Sequence, residues 1–207
     1  MFKFNSIPID NRDRRFPEPA FGGVVEAVCS DVGAVFTRAI RERSGEQFYA
    51  FALMASEDLD HMGAAAMTEE QFASLWERRG NFMRAFGGRA YYRWSCVEWE
   101  DGENLDRPGE LRTSLAAIEE MMREMTSESE LDEHGNSFGW SEYRDAFFAS
   151  MIASLKKMDA ARAFADAGDR DRFVFFATIT DSEFTSALEK KSVQVLNPPA
   201  ARKLWQR

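Results

Sequence analysis

The side chains able to do chemistry fall into two sets. The first is Asp58 and His61, in the acidic stretch Glu57–His61, together with Asp181 and Glu183, just past a hydrophobic run. Carboxylates beside an imidazole can move protons on a small molecule or nucleotide, provided folding brings the two stretches together. A metal centre needs several converging ligands, and two histidines in the chain, His61 and His134, supply little material for one. Phe21-Gly22-Gly23 lacks both the spacing and the lysine of a phosphate loop. No turn marks a nucleophile, no catalytic residue stands out, and no cofactor is implied. The plainer account of His61 is a solvated loop, and of Asp181 and Glu183 the capping of a helix.

The second set has the chemistry of a protein contact. Tyr91, Arg93 and Trp99 are residue types favoured as interface anchors, and Glu98, Glu100, Asp101 and Glu103 stand among them. From Val97 to His134 the chain carries 13 Asp/Glu against 3 Arg, a formal charge of −10, while the whole chain carries −9. The acidity is therefore concentrated in one block and the remainder is nearly balanced. Such a block suits a basic protein partner and is the wrong sign for direct nucleic-acid binding. The plainer account is that the aromatic rings are core, Arg93 pairs with an acid such as Glu98, and the carboxylates solvate a surface.

These groups need a frame. The apolar runs Phe48–Ala55 and Phe173–Ile179 are too short for lone helices and too continuous for half-buried strands, so they read as central strands covered on both faces. Gly63–Met67 and the alternating Ala90–Val97 read as two more. The expected fold is α+β: a mainly antiparallel sheet of at least four strands (47–55, 63–67, 90–97, 172–179) with helices on its faces. Helices are expected over Val24–Arg43, from a Thr68–Gln71 capping box to Gly87-Gly88, over Pro108–Met125 and over Trp140–Met158. A last one should start at a second capping box, Thr180–Glu183. An irregular arm, residues 1–23, should precede a single domain, 24–189, and a basic tail, 190–207, should follow. That tail carries Lys190, Lys191, Arg202, Lys203 and Arg207 and no acid, and it could meet the acidic block within the chain or on a second copy, leaving monomer and homo-oligomer both open. Cys29 and Cys96 read as reduced core thiols. No window has the length of a membrane span, and a cytoplasmic setting is the expectation.

Several short stretches resemble the bacterial domain-of-unknown-function 4303 family. They are Phe48-Tyr49-Ala50-Phe51-Ala52-Leu53, Ala64-Ala65 with Thr68-Glu69-Glu70, Tyr92-Arg93-Trp94-Ser95, Glu98-Trp99 and Thr178-Ile179-Thr180-Asp181. The resemblance runs from about Val24 to Glu189 and departs from the family pattern where Cys96-Val97 follow Trp94-Ser95. It implies an immunity protein of a polymorphic-toxin system, which neutralises a toxin by binding it, and the acidic block would fit a basic toxin. It brings no catalytic residues.

Overall fold

A computed structural model describes residues 18–99, 103–104, 116–117, 120 and 140–205. Its sheet has the order β3-β2-β1-β4, with β1 Phe48–Ala55, β2 Met62–Thr68, β3 Glu103–Asn104 and β4 Val174–Ile179. β1 pairs with β2 antiparallel, from Phe48↔Thr68 to Ala55↔Met62, and with β4 parallel, from Ala50↔Val174 to Ala55↔Ile179. The expected mainly antiparallel sheet of four or more strands is therefore corrected. Among the described residues three full strands form a mixed sheet, and β3 adds the pairs Gly63↔Asn104 and Ala64↔Glu103.

Ala90–Val97 is not a strand. It lies in α3 (Asn81–Trp94) and in a 3-10 turn, Cys96–Glu98. Eight residues with buried Tyr92, Trp94 and Cys96 fit an alternating pattern and a helical one about equally, so packing decides between them. Gly88, at φ 67 and ψ 170, breaks α3. That conformation suits a residue without a Cβ, and Arg89–Trp94 becomes a short helix of its own. The single helix expected from Thr68 to Gly87-Gly88 is thus divided earlier as well, into α2 (Glu69–Arg78) and α3. The predicted helix Pro108–Met125 lies almost wholly outside the described residues.

Helices cover both faces. On the first, α1 (Glu18–Glu42) and α4 (Trp140–Ala160) bury Val28, Val32, Phe36, Phe147, Met151 and Leu155 against Phe51, Leu53, Phe175 and Ala177. On the second, Phe72 and Leu75 of α2 join Tyr92, Trp94, Cys96 and Trp99 over Tyr49, Ala52, Val174 and Phe176. Both runs picked out as doubly covered strands owe their continuity to this sandwich. An irregularity between Phe48 and Ala50 changes the register. It lets Phe48 and Phe51 stack on the first face, centroids 5.1 Å apart, while Tyr49 and Ala50 face the second.

α5 (Thr185–Leu196) runs beside β4 and supplies what a further strand would. Asn197, buried at its end, accepts from the Phe175 N–H (2.7 Å) and donates to the Phe175 carbonyl (2.7 Å) and the Val193 carbonyl (3.0 Å). Ser192 Oγ accepts from the Ala177 N–H at 3.0 Å, and Thr185 Oγ1 donates to the Ile179 carbonyl at 2.6 Å. Arg170 clamps the start of β4. It donates to the carbonyls of Phe173 and Leu196 and to Asn197 Oδ1, pairs with Asp159, and lies 3.8 Å from the Phe175 ring centroid. Burial pulls its guanidinium below the usual arginine range, and Asp159 offsets part of that pull. The short α6 (Pro199–Arg202) follows.

Candidate functional site

The segment Arg89–Trp99 is anchored from below and decorated above. Tyr92, Trp94, Cys96 and Trp99 point into the second core, whereas Tyr91 and Val97 are 39% and 60% exposed. Arg93 is half-buried. Its two terminal nitrogens donate to the two carboxylate oxygens of Glu69 at 2.8 and 2.5 Å, and its plane lies 3.9 Å from the Tyr49 ring centroid. Burial would lower the Arg93 guanidinium, but the hydrogen bonds and charge of Glu69 outweigh it and hold it above its ordinary value. Tyr49 Oη donates to the Arg93 carbonyl at 2.8 Å, and burial pushes that phenol well above its usual range. A second ion pair, Arg79–Glu98 at 2.9 Å, ties the 3-10 turn to the end of α2, and Arg79 also sits over the Tyr92 ring at 5.0 Å. Arg93 therefore pairs with Glu69, and Glu98 pairs with Arg79.

Of the residues proposed from sequence for a protein contact, Tyr91 is on the surface, and Arg93 and Glu98 brace the segment from its flank. Trp99 is core, packed on Tyr49 and Phe176, so it offers no surface. Glu100 and Asp101 lie outside the described residues. Glu103 belongs to β3 and fixes the acidic stretch to the edge of β2. In the sequence Val97 carries no signal, because a lone valine is as common in a core as on a surface. Its exposure follows from its place in a tight turn whose neighbours Cys96 and Trp99 turn inward.

The second set lies at the end of the parallel pair. The loops after β1 and β4 leave from paired residues, Ala55 and Ile179, and Thr180 donates to the Ala55 carbonyl through both N–H (2.9 Å) and Oγ1 (3.2 Å). The two stretches are thus brought to one end of the sheet, while Asp58, Asp181 and Glu183 all remain solvent-exposed. In the first loop Asp60 accepts from Ser56 Oγ at 2.7 Å and lies 2.6 Å from His61 Nδ1. Partial burial would raise the Asp60 carboxyl, but the Ser56 and His61 contacts outweigh it and hold it below the usual range. Leu59 (φ 59) and Asp181 (φ 59) both adopt left-handed backbone here. The capping box expected at Thr180–Glu183 does not form. α5 starts at Thr185, whose hydroxyl bonds the Ile179 and Ser182 carbonyls. The box at Thr68–Gln71 forms in full.

A groove of about 390 Å³ lies between the end of α1 and α2, walled by Arg43, Glu46, Glu70 and Arg78 over Met67 and Leu75. Its carboxylates hold the frame together: Glu46 accepts from Thr68 Oγ1 and Glu70 from the Gln47 N–H. Among the described residues no three His, Cys, Asp or Glu side chains are grouped to hold a metal ion, and no helix is long and apolar enough to cross a membrane. No curated protein and no solved structure matches the chain. The family model of a domain of unknown function, DUF4303, matches residues 30–198, and the chain belongs to that family.

Proposed function

We propose that the domain binds another protein stoichiometrically, through Tyr91 and Val97 at the root of the acidic segment, and that the partner is basic. The observation that carries this reading is the anchoring of Arg89–Trp99. Four inward side chains and two ion pairs to α2 fix the backbone, so the two outward apolar side chains are already positioned before any partner arrives. Preorganised contacts lose little entropy on binding. The adjoining carboxylates steer a basic surface toward them and set its orientation. In its finer form the partner is a toxin held inactive by this contact, and the domain is its immunity protein.

The test is capture from the source organism's lysate by wild-type protein beside Tyr91→Ala/Val97→Ser, with both folds checked by circular dichroism. Exposed positions of this kind change stability by only about 0.5 kcal/mol or less. The expected outcome is one basic protein retained near one-to-one by the wild type, released by salt, and lost with the variant. Retention of the same partners by both proteins overturns the assignment of the face.

A further inference from the structure

Five aromatic side chains on the second face close a ring of contacts. Tyr49 meets Trp94 at 5.5 Å between centroids and Trp99 at 6.1 Å, and Trp99 meets Phe176 at 5.9 Å. Trp205 completes the circuit, 5.0 Å from Phe176 and 4.6 Å from Trp94. The first four are buried and Trp205 is half-buried. Two of them have an unmet need. The indole Nε1–H groups of Trp94 and Trp99 are shielded from solvent, and among the described residues neither has an acceptor. Buried indoles ordinarily find one, because an unmade hydrogen bond costs more than a made one gains. The Tyr49 hydroxyl donates to the Arg93 carbonyl, and its oxygen accepts from neither indole.

Trp205 cannot answer that need. An indole ring donates through its nitrogen and offers no in-plane acceptor. It fills space against Trp94 and Phe176 while leaving both donors unmatched. Its backbone hold is slight as well, an N–H donated to the Arg202 carbonyl at 3.3 Å. A flat ring in the place of Trp205 would stack on Trp94 and Phe176, and acceptors on its edge would supply what the indole donors of this cluster lack.

We propose that Tyr49, Trp94, Trp99 and Phe176 form a binding slot for a flat heteroaromatic ring carrying in-plane acceptors, with Trp205 as the internal occupant that such a ring displaces. The slot uses the inward side chains of the segment whose outward side chains form the proposed protein contact, so the two sites lie on opposite sides of one segment.

The probe is 1,3-dimethyluracil, a flat ring with two carbonyl acceptors and no donor, compared with indole, a flat ring without such an acceptor. In the intact chain, the indole N–H resonances of Trp94 and Trp99, assigned by Trp→Phe substitution, should move downfield with millimolar dimethyluracil and not with indole. Trp205→Ala should bind dimethyluracil about tenfold or more tighter than the intact chain, and adding Trp94→Phe should weaken that binding about tenfold by removing one donor. Unmoved resonances in the intact chain overturn the proposal, whether or not Trp205→Ala folds. So does a folded Trp205→Ala protein that binds dimethyluracil no better than indole.

Discussion

The two edges of the sheet are closed in opposite ways. At β4, α5 and the residue after it supply side-chain amide and hydroxyl groups to the backbone of alternate residues, Phe175, Ala177 and Ile179. At β2, among the described residues, the closure is a two-residue backbone pairing with Glu103 and Asn104, at the start of the acidic segment. An open edge invites pairing with another chain, and proteins cover it or blunt it with charge. Here one edge is covered by the fold itself and the other is met by the carboxylate-rich stretch whose charge is proposed to steer a basic partner. The first closure should matter to stability and the second to recognition.

The largest effect that would sharpen this contrast is at Asn197. Asn197→Ala removes both bonds to Phe175, the bond to Val193 and the acceptor for Arg170. It leaves buried polar groups without partners, so urea denaturation should show a loss of about 3 kcal/mol. A loss near zero would mean that β4 needs no cover. Next is Glu69→Gln, which removes the charge facing the half-buried Arg93 at the root of the acidic segment. The pair is partly exposed, 24% for Arg93 and 38% for Glu69, so a loss of about 1 kcal/mol is expected in the same assay. Asn104→Pro, which removes one backbone donor at the other edge, should cost about 1 kcal/mol or less. If it matched Asn197→Ala, the two edges would be equal and the contrast would fail.

How much of this could be read in the sequence differs by element. Phe48–Ala55 and Phe173–Ile179 announced themselves because a strand covered on both faces has apolar residues at every position. Thr68 and Gln71 were legible because a capping box is local. The parallel pairing of β1 with β4 was not, since orientation depends on where the chain between them travels. Ala90–Val97 misled because alternation over eight residues does not exclude a helix. Asn197 carried no signal in the sequence of its hydrogen-bonding role, since that role depends on Phe175, 22 residues earlier. In the candidate site the residue types were legible and their directions were not. The broken helix turns Tyr91 and Val97 outward and Trp99 inward, which a straight strand would not have done.

The smallest effect is expected where the parallel pair ends, in the loop holding Asp60. Its carboxyl is held below the unfolded value by Ser56 and His61. A depressed carboxylate contributes stability that is fully present above the unfolded pKa of about 3.9 and is lost as pH falls through the lower folded value. Asp60→Asn should therefore lower the urea midpoint slightly at pH 7, with the gap from wild type closing below about pH 4. The side chain is 39% exposed to solvent, so the gap should stay well below that of Asn197→Ala. A gap that persists unchanged into acid would assign the contribution of Asp60 to the geometry of the turn instead of to its charge.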